Sequence, residues 1–111
     1  MSKTASHTIS KYANEALFLL GASIRAARIQ KRWSEQELAD RMGVSRPLVS
    51  RIEGGYPGTS IGAVFEAAAL VGVSLFEGTP QAIMGHTARV AEKLALLPQT
   101  ARKKGKVKDE F

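Results

Sequence analysis

The stretch SEQELADRMGVSRPLVSRIEGG, residues 34–55, carries two short helical patterns separated by one glycine. Ser34 and Glu37 have the spacing of a capping box, in which the two side chains satisfy free backbone groups at the start of a helix. This signal predicts a helix over residues 35–42. Gly43 is expected to end that helix, because glycine readily adopts the positive φ that a tight turn requires.

The second helical pattern begins at another serine cap, Ser45, and covers residues 46–53. Pro47 falls in its first turn, where the missing N–H removes no hydrogen bond. Ala39 supplies the small side chain that two steeply crossing helices need at their contact. The spacing therefore predicts a helix-turn-helix whose geometry depends on Ala39 and Gly43.

The helix pair sorts its side chains into a buried set and an outward set. The set predicted to form a small core comprises Leu38, Val44, Val49 and Ile52. The outward set on the second helix comprises Arg46, Pro47, Ser50 and Arg51. Polar groups of this kind reach base edges and phosphates when a helix lies in a major groove.

Helical periodicity extends to both sides of this pair. A preceding helix is predicted from about Asn14, with Leu17, Leu20, Ile24 and Ala27 on its inner face and Arg25, Arg28 and Lys31 on the other. A following helix, capped by Ser60 or Thr59 and ended by Gly72, is predicted to bury Ile61, Val64, Phe65, Ala68 and Val71. The sequence VSLFEG, residues 73–78, is predicted to add one short helical turn. Trp33, beside the Ser34 cap, is interpreted as a packing residue rather than a binding hot spot.

A last helix is predicted to open at Thr79 and Pro80 and to end at Pro98. Its apolar stripe consists of Ile83, Thr87, Val90, Leu94 and Leu97. The stripe either covers the fourth helix within one subunit or forms the seam of a dimer. No β-strand pattern is present, so the sequence predicts an all-α fold.

The chain has 111 residues and a net charge of +6, a basic balance that favours polyanionic partners. It contains no cysteine, which excludes disulfides and a cysteine zinc site.

No apolar run approaches the roughly 20 residues of a membrane span, and the start lacks a secretory pattern, so a cytoplasmic protein without a membrane partner is expected. His7 and His86 lack the spacing of metal ligands, and no catalytic set is recognisable, so no metal, cofactor or enzyme activity is predicted.

Charge is concentrated at the C-terminal end. Residues 1–13 are interpreted as a flexible arm and residues 99–111 as a basic disordered tail. The tail cations are Arg102, Lys103, Lys104, Lys106 and Lys108. They serve either as a solubilising segment or as an arm that adds phosphate contacts or orders against a protein partner.

The helix pair, with IRAARIQKRW before it and IEGG after it, resembles the phage-repressor/Cro-type (XRE-like) helix-turn-helix family over roughly residues 17–76. The resemblance implies a compact five-helix DNA-binding domain of the lambda-repressor type over residues 14–78. Residues 79–98 would add a C-terminal helix that serves as a dimer or partner surface.

The resemblance also implies roles for individual residues. The second helix would be the recognition helix, and the DNA-contacting set would be Gln36, Ser45, Arg46, Pro47, Ser50, Arg51 and Tyr56. Either Arg25 or Arg28 would pair with Glu53 as a structural brace.

Two positions depart from the family pattern. The family commonly begins the first helix of the pair with glutamine, whereas this chain has Glu35 followed by Gln36. A carboxylate facing phosphate is repelled, so either Gln36 takes over the contact or the contact is lost. The family often ends its first helix with glycine, where this chain has Arg32, so either Arg32 adopts a positive φ or the helix ends differently.

These observations predict a sequence-specific DNA-binding transcriptional regulator associated with the nucleoid. We expect an autorepressor that binds an inverted repeat as a homodimer, with half-sites about 34 Å apart. An alternative follows from the order of parts and the short tail, which are similar to those of HipB-like antitoxins. A protein of that kind would also neutralise a kinase-like toxin of a toxin-antitoxin pair by binding it directly.

Overall fold

The computed structural model describes residues 9–76 and 78–100, which contain five α-helices and no strand. The helices are α1 (Lys11–Gln30), α2 (Glu35–Met42), α3 (Arg46–Glu53), α4 (Ile61–Val71) and α5 (Pro80–Leu96). The predicted all-α class is confirmed. The chain divides into two compact units, Met1–Leu75 with α1–α4 and Phe76–Phe111 with α5.

Helix α1 begins earlier than the predicted Asn14. Ser10 is its N-cap, and the Ser10 hydroxyl oxygen accepts a hydrogen bond of 3.0 Å from the backbone N–H of Ala13. The helix ends at Gln30, and Arg32 has a positive φ of 65°. Of the two alternatives that the sequence left open for Arg32, the structure shows the positive φ. Its N–H still donates to the Ile29 carbonyl at 2.9 Å, so the turn keeps a helix-like hydrogen bond.

Helices α2 and α3 have the predicted bounds because their caps form as the sequence indicates. The Ser34 hydroxyl oxygen accepts from the Glu37 N–H at 3.0 Å, and the Ser34 N–H donates to the Glu37 carboxylate at 2.7 Å. Gly43 ends α2 with φ of 74°. Ala39 is fully buried, in keeping with the small contact residue predicted for the helix crossing.

One hydrophobic core joins the helices of the first unit. Its buried members are Ile24, Leu38, Ala39, Val49, Ile52, Ala67, Ala68 and Val71. Val44 and Val64 pack against it while partly buried. The prediction that Ile61 is buried was wrong, because its side chain is 69% exposed in the first turn of α4, and Ala67 lies in the core instead.

A close approach between α1 and the C-terminal end of α3 depends on Gly21, which the sequence pattern did not single out. A Cβ atom at Gly21 would lie 2.6 Å from the carbonyl oxygen of Ile52 and 2.7 Å from that of Glu53. Real Cβ contacts are not this short, so α1 can pass this close to α3 only with glycine there. The approach fixes how α3 is presented.

The predicted helical turn in VSLFEG was wrong over residues 73–76, which form no helix. Phe76 has φ of 58° there, a left-handed conformation that interrupts a right-handed helix.

Helix α5 begins at the predicted cap, since the Thr79 hydroxyl oxygen accepts from the Ala82 N–H at 3.2 Å. Leu97 is extended, as expected for a residue that precedes proline. None of the residues of α5 is buried. Most of its apolar side chains are exposed in the single chain, whereas Ala82 and Ile83 are partly buried.

Candidate nucleic-acid interface

Helix α3 is anchored along one face and open along the other. Val49 and Ile52 point into the core with 0% and 2% exposure. The predicted outward residues Arg46, Pro47, Ser50 and Arg51 are all exposed. Ser45 caps the helix, its hydroxyl oxygen accepting from the Leu48 N–H at 3.3 Å. The packing of α3 thus leaves a polar ridge that a groove could accept.

A buried ion pair braces the end of α3 against α1. Arg28 Nε donates to one carboxylate oxygen of Glu53 at 2.6 Å, and Nη2 donates to the other at 2.9 Å. The Arg28 Nη1 group donates to the Trp33 carbonyl at 2.8 Å. The hydrogen bond that Arg28 donates to Glu53 raises the pKa of Arg28, and each of the two residues is 7% exposed.

Of the two arginines that the sequence left open, Arg28 makes this pair. Arg25 lies exposed and forms no ion pair with any described residue. The prediction that Arg28 lies on the outer face of α1 was therefore wrong. Helical spacing alone cannot distinguish an arginine that is buried and paired from one that is exposed to solvent. Bidentate geometry of this kind holds a helix in a defined orientation.

Glu35, at the start of α2, turns toward α3. The Ser50 hydroxyl donates to Glu35 Oε1 at 2.8 Å, and Arg46 Nε donates to the same oxygen at 3.3 Å. The hydrogen bond from Ser50 lowers the pKa of Glu35, and the bond from Arg46 acts in the same direction. The sequence predicted that the Glu35 carboxylate would repel a DNA phosphate. In the structure this carboxylate accepts hydrogen bonds from Ser50 and Arg46 of the same chain.

Gln36 of α2 and Tyr56, which follows α3, were also predicted to contact DNA. Gln36 is exposed next to Glu35, and its amide donates to the Asp40 carboxylate at 2.9 Å. Tyr56 follows α3 with 57% exposure, and its N–H donates to the Arg51 carbonyl at 3.2 Å. The predicted tail cations Arg102, Lys103, Lys104, Lys106 and Lys108 lie outside the described residues.

Two cations lie close to Trp33, which is partly buried against the core as its position beside the cap predicted. The Arg41 guanidinium lies 4.1 Å from the centroid of the indole ring, and the Lys31 ammonium lies 5.4 Å from it. These distances permit cation–π attraction. The ring thus lies close to one cation at the C-terminal end of α1 and to another in the last turn of α2.

Two absences apply to the part of the chain that the structure describes. In residues 9–76 and 78–100, no cluster of three or more His, Cys, Asp or Glu side chains is placed to hold a metal ion. No helix in these ranges is both long enough and apolar enough to cross a membrane.

Residues 24–77 match a family model described as Helix-turn-helix. The match begins in α1 and includes all of α2, α3 and α4. No curated protein and no solved structure matched the chain. Residues 24–77 therefore match the helix-turn-helix family of the phage-repressor/Cro (XRE-like) type, a family of DNA-binding transcription regulators.

Proposed function

We propose that the protein is a sequence-specific repressor that binds an inverted repeat as a homodimer and controls its own gene. The observation that carries the proposal is that α3 has one buried face and one exposed basic face. Val49 and Ile52 lie in the core, whereas Arg46 and Arg51 are exposed to solvent. Contacts to phosphate position such a helix, and contacts to base edges give it specificity. Arg46, Ser50 and Arg51 are the proposed base-reading residues, with Gln36 and Tyr56 as flanking contacts.

The proposed dimer rests on α5. Its apolar positions Ile83, Thr87, Val90, Leu94 and Leu97 alternate at spacings of four and three, which is the heptad pattern of helices that pair. Val90 is 54% exposed and Leu94 is 63% exposed in the single chain. A single helix-turn-helix contacts too few base pairs for high specificity, whereas a twofold pair doubles the contacts. Pairing of α5 between copies would cover these side chains.

The test is binding of the full-length protein to DNA of selected sequence. A random duplex library enriched by the wild-type protein is expected to yield an inverted repeat with half-sites about one helical turn apart. Fluorescence anisotropy at two or more salt concentrations is expected to show affinity that falls as salt rises. An affinity independent of salt, or a library without enrichment, would rule out the proposal.

A second candidate function is that of an antitoxin that binds a protein toxin and also represses its own operon. Large apolar side chains on the outside of α1 favour a protein partner: Tyr12, Phe18, Leu19 and Ile29 are each more than half exposed. Exposed apolar surface of this kind often marks a protein contact.

Co-expression with the product of the adjacent gene tests this candidate. A complex that survives purification and is weakened by Leu19→Ser would support it. Glu15→Gln, an exposed change in the same helix, serves as the control. An adjacent product that does not co-purify would exclude that partner.

A further inference from the structure

One carboxylate oxygen joins the two helices of the DNA-binding pair. Glu35 Oε1 accepts from Ser50 Oγ at 2.8 Å and from Arg46 Nε at 3.3 Å. The side chain of Glu35 is 24% exposed, whereas that of Arg46 is 64% exposed. The carboxylate thus sits beneath the ridge, and the guanidinium extends beyond it.

The bond to Glu35 engages only one edge of the Arg46 guanidinium. An arginine side chain has five N–H donors, of which Nε carries one. Nη1 and Nη2 of Arg46 have no hydrogen-bond partner among the described residues. The end of the guanidinium therefore remains available, and a guanidinium can donate two parallel bonds to O6 and N7 of guanine in the major groove.

Glu35 has opposite effects on the two classes of DNA contact. Its negative charge repels phosphates, which are present at every site whatever the sequence. Its hydrogen bonds restrict where Arg46 and Ser50 can point, and this favours a contact that needs defined geometry. The ion pair itself is expected to add little to stability, because the Arg46 side chain is 64% exposed.

We propose that Glu35 is a specificity-determining residue that positions Arg46 to read a guanine and weakens binding to non-cognate DNA. This inference rests on the proposed function and deepens it, because it assigns discrimination to a residue that itself makes no favourable contact with DNA. Ser50 shares the same carboxylate and is held with Arg46 as a unit.

Two substitutions separate the charge of Glu35 from its geometry. Glu35→Gln removes the charge, and Glu35→Asp keeps the charge but shortens the side chain that reaches Arg46. Glu15→Gln makes the same change in net charge at an exposed position of α1. Circular dichroism melting of all the full-length variants establishes that they fold.

Anisotropy titrations use three duplexes: the sequence enriched by the wild-type protein, the same sequence with one guanine pair replaced at a time, and a scrambled sequence. Glu35→Gln is expected to bind the scrambled duplex several-fold more tightly than the wild type. It is also expected to lose most of a roughly tenfold preference at one guanine pair. Glu35→Asp is expected to lose that preference without the gain on scrambled DNA.

The inference is overturned if both Glu35 variants keep the wild-type preference at every guanine pair, or if Glu15→Gln reproduces the effect of Glu35→Gln. A wild-type protein that enriches no sequence would overturn the proposed function as well. Loss of guanine preference in both Glu35 variants, with a wild-type enriched motif, supports the inference.

Discussion

Helices α3 and α5 both carry a regular apolar stripe, but the two stripes differ in how far they are buried. Val49 and Ile52 of α3 lie in the core, whereas none of the residues of α5 is buried. The covered stripe fixes α3 so that its polar face can meet DNA. The largely exposed stripe of α5 is the surface proposed above to pair with a second copy of the chain. Under that proposal, the polar face of α3 meets DNA and the apolar face of α5 meets protein.

The largest expected effect comes from removing the brace that holds α3. Arg28→Ala leaves the Glu53 carboxylate buried without its partner and is expected to lower the free energy of unfolding by about 3–5 kcal/mol. Urea denaturation measures this change. Arg25→Ala is the matched control, because this arginine is exposed and unpaired among the described residues, and it is expected to change stability by less than about 0.5 kcal/mol. Equal effects of the two substitutions would show that the brace does not stabilise the domain.

The next largest expected effect is the weakening of the proposed dimer by a substitution in α5. Leu94→Asp is expected to weaken the proposed dimer by about 3 kcal/mol or more, because each copy loses the burial of one leucine and gains a charge at the seam. Sedimentation velocity is expected to show the mass of a monomer at concentrations where the wild type is a dimer. Glu92→Gln, an exposed change in the same helix, controls for general effects on α5. A wild-type protein that is monomeric at high concentration would remove the basis of the comparison.

A smaller loss of stability is expected when the close approach of α1 to α3 is disturbed. Gly21→Ala forces a Cβ atom against two backbone carbonyl groups and is expected to cost about 1–3 kcal/mol. At Gly62, an exposed residue of α4, an added Cβ meets nothing closer than 3.9 Å. Gly62→Ala is therefore expected to be neutral or to stabilise by up to about 1 kcal/mol, as alanine favours helices. Thermal denaturation that ranks the two variants in the reverse order would contradict the described packing.

The smallest effect is the pH dependence of the contact between Glu35, Arg46 and Ser50. Because the pKa of Glu35 is lowered in the folded protein, its stabilising contribution is present above the ordinary glutamate value and is lost as pH falls through the lowered one. The contribution is expected to be below about 1 kcal/mol, as for other exposed pairs. Unfolding free energies of the wild type and Glu35→Gln should therefore converge at acidic pH. Ser50→Ala, which removes the strongest donor, should reduce the dependence.

Local signals made parts of the fold predictable from sequence. The serine caps, Glu37 and Gly43 act within a few residues, so they predicted the bounds of α2 and α3. The glycine that the family often has in place of Arg32 left two alternatives open, and the positive φ observed there is one of them.

Features that depend on distant residues were not predictable from sequence. Whether Arg28 is buried depends on Glu53, and the need for glycine at Gly21 depends on the path of α3. The partners of Glu35 lie in another helix for the same reason. Spacing along α4 could not decide between Ile61 and Ala67, because the core covers only part of that helix.

The central claim is that the outer face of α3 reads DNA, and anisotropy with Arg51→Ala tests it most directly. The variant is titrated with the duplex enriched by the wild-type protein and with every single base-pair replacement of it. We expect loss of discrimination at one position, worth about 1–3 kcal/mol, with little change elsewhere. Arg25→Ala should bind like the wild type. Wild-type affinity and discrimination in both Arg51→Ala and Arg46→Ala would contradict the account.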